Sequence, residues 1–198
     1  MIYWLSRFIC MLFFRIFFRN EVIGAEHIPK RGPVLLCANH IHVLDPPLIG
    51  VSIKRPVTFM AKAELFKIPL IAAYLKKLKG FPVKRGAPDK AAIRTSLQVL
   101  KNGDAFVIFP EGTRSKTGEL GPAFTGAGFI ALKEKCTVIP IAIIGQYRLF
   151  RKMKVAIGPP VMIEDLRGDK VTKENAREAT ERMMNSIQSL LDEYREAS

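Results

Sequence analysis

The chain of 198 residues has little cysteine, one tryptophan, few acidic residues and no long apolar run. Cys10, Cys37 and Cys136 are odd in number, lie among apolar neighbours and fit no metal-ligand spacing. That excludes a disulfide scaffold and predicts three small core hydrophobes in a reducing, cytoplasmic setting. A polytopic membrane protein would need repeated apolar runs of roughly 20 residues, and none is present. There is no internal repeat and no low-complexity segment. A disordered basic tail is excluded by the 48% of residues that are hydrophobic. A chain this long forms one domain that buries roughly 70% of its unfolded surface. Acids are outnumbered, 18 against 31 Lys and Arg, for a formal charge of +13. Such an excess calls for an acidic partner: nucleic acid, an anionic membrane or a phosphorylated substrate.

The charge is unevenly spread. Residues 164–198 carry six basic and nine acidic side chains, so the basic excess belongs to the body and the N-terminus. Residues 1–20 hold Arg7, Arg15 and Arg19 without an acid, and seven of the 18 aromatics. The longest charge-free stretch there, Phe8 to Phe14, is seven residues, too short to span a bilayer. A cleaved signal would need a basic segment ahead of the apolar part and a small-residue cleavage site, and has neither. On a helical wheel the arginines share one sector of about 120°. Leu5, Ile9, Leu12, Phe13, Ile16 and Phe17 lie opposite. This pattern predicts an interfacial membrane-anchor helix over residues 1–20, with Trp4 and Tyr3 at headgroup level and Arg7, Arg15 and Arg19 on lipid phosphates. The competing reading is a helix that docks on the core.

Residues 21–198 alternate short apolar runs with helical stretches. Strands are predicted at Val22-Ile23, Val34 to Ala38, Val57 to Met60, Phe81 to Val83, Ala105 to Phe109, Thr137 to Ile143 and Lys154 to Ile157. Helices are predicted from near Pro46, over Leu70 to Leu78, from an Asp89 N-cap to Lys101, over Gly126 to Lys135, and over about 173–194. The alternation predicts a single α/β domain, a central, mostly parallel or mixed sheet flanked by helices. In such a sheet, ligands gather at the carboxyl ends of strands. Three polar segments fall there: Asn39 to Asp45, Lys84-Arg85-Gly86 and Pro110 to Ser115.

The first segment, NHIHVLDPP, holds two of the three histidines and an aspartate five residues after the first. An imidazole can take a proton from a hydroxyl, and a carboxylate on its other nitrogen would fix the tautomer. No serine or cysteine sits at an obvious nucleophile turn, so such a dyad would activate the substrate's own hydroxyl. Asp45 before Pro46 also has the form of an N-cap followed by proline. A metal site on His40, His42 and Asp45 lacks a third strong ligand beyond this segment, since the remaining histidine, His27, lies in a Pro-rich turn. In the second segment, FPEGTRS, the backbone of a Gly/Thr/Ser loop with Arg114 suits a phosphate or an oxyanion, and Glu111 could accept from a substrate hydroxyl. Arg85, in GFPVKRG, is either a bidentate phosphate ligand or an exposed charge.

Taken in order, NHIHVLD, GFPVKRG, FPEGTRS and VIPIAI resemble the four sequence blocks of the PlsC-type glycerolipid acyltransferases, with the bacterial 1-acyl-sn-glycerol-3-phosphate enzymes most similar. The resemblance runs from about residue 20 to 165. It implies that residues 21–198 form an acyltransferase domain in which His40 is the general base and Asp45 its partner. It implies direct attack of the sn-2 hydroxyl of lysophosphatidic acid on an acyl thioester, without an acyl-enzyme. Arg85 is implied on the acceptor's phosphate, and Glu111, Gly112, Thr113 and Arg114 in positioning the acceptor. Ile139-Pro140-Ile141 is implied at the acyl side or the base of the site. Asn39, His42 and Ser115 flank these positions without an assigned role. His42 stands where relatives often have serine, and AFTGAG replaces a lysine-bearing segment.

The expected product is phosphatidic acid, made at the cytoplasmic face of the cell membrane by a peripheral protein with no bound cofactor or metal. The donor is acyl carrier protein or coenzyme A thioester; the lysines near 76–79 and Arg148, Arg151, Lys152 and Lys154 could dock an acidic carrier or lipid headgroups. Other readings are a relative acylating glycerol 3-phosphate or another lysophospholipid, a metal-dependent hydrolase, and a nucleic-acid binder, for which no module is recognisable.

Overall fold

A strand of five consecutive apolar residues needs cover on both faces, and β2 (Val34–Ala38) has it. In a computed structural model describing residues 1–84 and 89–195, Leu35 and Cys37 point into one core and Val34, Leu36 and Ala38 into the other. β2 lies in a seven-stranded sheet with β1 (Glu21–Ile23), β3 (Val57–Lys62), β4 (Gly80–Val83), β5 (Ala105–Ile108), β6 (Thr137–Gly145) and β7 (Met153–Ile157). The order is β1-β7-β6-β2-β5-β3-β4. Every ladder is parallel except β6 with β7, so β7 and β1 run against the other five. The sheet is therefore mixed and mostly parallel, as the alternation of elements predicts.

One face is covered by α4 (Lys90–Lys101), α5 (Gly126–Glu134) and α6 (Lys173–Arg195), which bury Leu100, Ile130, Met183 and Ile187. α5 and α6 approach closely at Gly128, where a Cβ would run into the Ala176 carbonyl. The other face is covered by α1 (Ile2–Phe18) and α2 (Asp45–Ser52), through Phe14, Phe18, Leu48 and Ile49. α3 (Pro69–Lys77) lies at the periphery and buries only Ala72.

α1 departs from the predicted wheel in two ways. It presents Tyr3, Cys10, Phe14, Phe17 and Phe18 toward the protein, with Phe14 and Phe18 fully enclosed, while Leu5, Phe8, Ile9, Leu12 and Ile16 are exposed on the far side. A helix with two apolar faces both docks on the core and leaves a stripe free. Arg7, expected on lipid phosphates, instead turns inward: its guanidinium donates to the carbonyls of Gly50 (3.0 Å), Val51 (3.3 Å) and Ile53 (2.7 Å) at the C-terminus of α2. Those carbonyls have no helical partner, and a cation there also opposes the negative end of the helix. Phe17, expected in the apolar layer of a membrane, is half-buried against Phe13 and Phe150. Trp4, Phe13, Arg15 and Arg19 remain exposed. No helix among the described residues is long and apolar enough to cross a membrane.

Candidate active site

Three neighbouring parallel strands, β5, β2 and β6, end on the same edge, and the residues that follow them converge. Beyond β2 come Asn39 and His40; beyond β5, Phe109 to Glu111; at and beyond the end of β6, Gly145 to Tyr147.

His40 is 4% exposed and is held at every polar group but one. Its ring Nδ1 lies 2.7 Å from Asp45 Oδ2, and its amide donates to Glu111 Oε1 at 3.0 Å. Its carbonyl accepts from the Ser115 amide at 2.7 Å. The ring stacks on Phe109, with centroids 4.1 Å apart. Nε2 is the nitrogen left for a reacting group.

Asp45 does not cap α2, contrary to the reading of Asp-Pro as an N-cap. It is the first helical residue, with Leu44 as the cap, and the Leu48 amide bonds to the Leu44 carbonyl at 3.0 Å. Pro46 and Pro47 carry no amide hydrogen, so the donors nearest the carboxylate on the helix side are missing. The carboxylate turns back instead. Besides His40, Oδ2 accepts from the amides of Ile41 and His42, each at 2.7 Å. Oδ1 accepts from the Tyr147 hydroxyl at 2.7 Å. Asp45 is fully buried, and a buried carboxylate with four donors has its charge well compensated. Burial first, then the Asp45 charge and hydrogen bond, push the Tyr147 phenol well above its ordinary pKa, so it remains a donor.

His42 lies beside Tyr147. The two rings stack at 4.4 Å, and His42 Nδ1 accepts from the Leu44 amide at 3.3 Å. Among the described residues no group of three or more His, Cys, Asp or Glu side chains is arranged to hold a metal ion. The Asn39 amide donates to the Ile143 carbonyl at 2.9 Å and accepts from its amide at 2.7 Å, which fixes the chain entering His40 against β6.

Glu111 is 4% exposed, and its two oxygens take the His40 amide and the Gly121 amide (2.9 Å). It is a brace within the site, clamping the loop after β5 to His40. Gly112 follows in a left-handed turn, φ +66°, where a Cβ would lie 2.8 Å from the Phe124 ring. Thr113 and Arg114 are exposed, and Ser115 Oγ accepts from the Gly118 amide at 3.0 Å. Arg85 lies outside the described residues. Of the expected basic dock, Arg148 and Arg151 are exposed, Lys152 pairs with Glu21, and Lys154 is buried with its ammonium near the Tyr194 carbonyl. Burial raises the Cys37 thiol far above its usual range and takes Cys136 up to about 12, so neither is a nucleophile at neutral pH.

Beside Phe109, beneath the loop after β5, an apolar cavity of about 150 Å³ is lined by Met60, Val83, Ile93, Ile108, Phe124 and Ile130, among others. Tyr147 is the site residue that the sequence reading missed. Its signal was its place, two residues beyond the end of a buried strand.

A buried His–Asp pair lies at the carboxyl ends of neighbouring parallel strands in a mixed α/β sheet. The chain matches the Acyltransferase family over residues 19–144 and belongs to that family. It is an acyltransferase. Among its relatives, the 1-acyl-sn-glycerol-3-phosphate acyltransferase of Bacillus subtilis is 34% identical over 176 residues, covering 86% of this chain and 87% of that one. A chloroplastic 1-acyl-sn-glycerol-3-phosphate acyltransferase of Brassica napus is 33% identical over 65% of this chain, but over only 38% of its own length. The crystal structure of the lysophosphatidic acid acyltransferase PlsC from Thermotoga maritima superposes with a TM-score of 0.64 at 31% identity, covering 85% of this chain and 72% of that one.

Proposed function

We propose that this enzyme transfers an acyl group from an acyl thioester to the sn-2 hydroxyl of 1-acyl-sn-glycerol 3-phosphate, releasing phosphatidic acid and a free thiol. The reading is carried by the His40–Asp45 pair at 2.7 Å, with the imidazole Nε2 unengaged. Nε2 takes the hydroxyl proton as the oxygen attacks the thioester carbonyl carbon, and Asp45 steadies the imidazolium. The tetrahedral intermediate expels the thiolate, which recovers the proton from His40. Arg114 and Arg85 are the proposed ligands of the acceptor phosphate. The cavity beside Phe109 suits an apolar chain. Acyl carrier protein and coenzyme A are both candidate carriers.

The exposed stripe of α1, Leu5, Ile9, Leu12 and Ile16, is the proposed contact with an anionic bilayer at the cytoplasmic face of the membrane. Arg15 and Arg19 flank it as headgroup ligands.

The test is an acyl-transfer assay with lysophosphatidic acid, run in parallel with each thioester and with glycerol 3-phosphate and other lysophospholipids as acceptors. Wild-type enzyme should favour lysophosphatidic acid, and a folded His40→Ala protein should be inactive. Normal turnover by that variant would overturn the mechanism, and preference for another acceptor would overturn the substrate.

A further inference from the structure

We propose that Tyr147 is a positioning residue of the acyl transfer, its hydroxyl setting the basicity of Asp45 and through it the pH at which His40 can accept a proton. The proposal rests on the reading of His40 as general base but concerns a residue that none of the sequence blocks contains. The phenol donates to Oδ1 of Asp45 at 2.7 Å, while the dyad contact uses Oδ2. One carboxylate therefore divides its two oxygens between a histidine and a tyrosine that approach from different strands of the sheet.

A donor on Oδ1 draws electron density from the whole carboxylate and stabilises its ionised form. The stronger that donor, the less the carboxylate attracts the proton on His40 Nδ1, and the more easily the imidazolium sheds a proton. Without it, a fully buried oxygen loses its one side-chain donor and the negative charge is left to Oδ2's three partners. The carboxylate then becomes more basic, and the ring stays protonated to higher pH.

The other titratable groups around the pair are His42, stacked on the phenol, and Glu111, which reaches the His40 amide from the loop after β5. α1 contributes Phe18, an uncharged ring against Tyr147. Phe18 and His42 pack on the ring, so Tyr147→Phe removes the donor and keeps these ring contacts. The hairpin bearing Tyr147 is itself fixed to α1, where the Phe150 amide donates to the Phe17 carbonyl at 2.6 Å.

The experiment is the pH dependence of kcat/KM for wild type and Tyr147→Phe, together with NMR titration of the histidine rings. Three histidines make the ring signals assignable, using His40→Ala as the control. The expected result is an acid limb moved to higher pH, with several-fold lower kcat/KM on the acid side that recovers as the pH is raised. The His40 ring should titrate correspondingly higher than in wild type, with His27 unmoved. Placing 3-fluorotyrosine at 147, a stronger donor of nearly the same shape, should move the limb the opposite way. That variant keeps the test open if the phenylalanine protein folds poorly. A limb and a ring titration that coincide with wild type in both proteins would overturn the proposal, whatever happens to the rate. The ring titration requires no turnover, so its outcome is separate from the identity of the acceptor.

Discussion

Asn39 and Ile143 exchange two hydrogen bonds, the side chain of one acting as a peptide unit toward the backbone of the other. β2 pairs with β6 as far as Ala38 and Ile141. One residue later the chain must leave the sheet to bring His40 over the strand ends, and the Asn39 amide continues the pairing in its place. Asn39→Ala would leave a buried donor and acceptor of Ile143 without this partner, at a cost of about 1–3 kcal/mol. Thermal melting should show the loss, with a reduced kcat because His40 is no longer fixed. Asn39→Asp, which keeps the shape but cannot donate, should be at least as damaging.

Asp45 should tolerate no neutral isostere. Asp45→Asn must direct an NH2 group either at Tyr147 or at the three donors gathered on Oδ2. We expect Asp45→Asn and Asp45→Ala to lose at least 100-fold in kcat, as for removal of a general-base system. Both should also melt earlier than His40→Ala, because buried donors are stranded. Equal stability of Asp45→Asn and wild type would contradict the arrangement.

Glu111 serves two amides, one on each side of the site, and only a carboxylate offers two acceptors to two donors. Glu111→Gln should therefore weaken both activity and stability, with KM for either substrate changed less than kcat. A specific rise in the KM of the acceptor would instead indicate direct contact with substrate.

The exposed and inward residues of α1 should separate in function. Ile9→Glu with Ile16→Glu should reduce binding to anionic vesicles without lowering the melting temperature, since both side chains are exposed. Arg7→Ala should do the reverse, because its three carbonyl partners lie at the C-terminal end of α2 and on its cap residue Ile53. Deleting residues 1–19 would confuse the two effects by stripping Phe14 and Phe18 from the core.

Asp89 ties the end of β4 to the start of α4, accepting from the amides of Lys84 (2.9 Å), Ala91 and Ala92 (both 3.0 Å). The Lys84 amide first, then that of Ala92, holds its carboxyl below the ordinary 3.8. A carboxyl depressed in the folded state contributes stability above its unfolded value and loses it as pH falls through the folded one. Asp89→Ala should cost about 1 kcal/mol near neutral pH. The gap in melting temperature from wild type should close below about pH 4.

The strands were legible because burial on both faces writes them as unbroken apolar runs: Val34 to Ala38 was read to the residue. Asp89 as an N-cap was equally readable, because its partners lie within five positions of it. What the sequence hid was long-range or backbone-mediated. Glu111 braces amides 71 and 10 residues away, and no side-chain pattern encodes an amide partner. Asp45 was legible as the partner of His40, but Asp-Pro also reads as a cap, and the second proline and the tertiary donors decide against that second reading. Arg7 shared a wheel sector with Arg15 and Arg19, yet the nearby end of α2 claims it.

Pro47 matters to the dyad for a hydrogen it does not have. Were Asp45 to cap α2, the amide of residue 47 would be one of its two natural partners. Pro47→Ala would supply that amide and create a second resting place for the carboxylate, turned away from His40. Pro47 thus withholds one partner that would compete for the carboxylate facing His40, so this rotamer is favoured by deletion of an alternative as well as by its four donors.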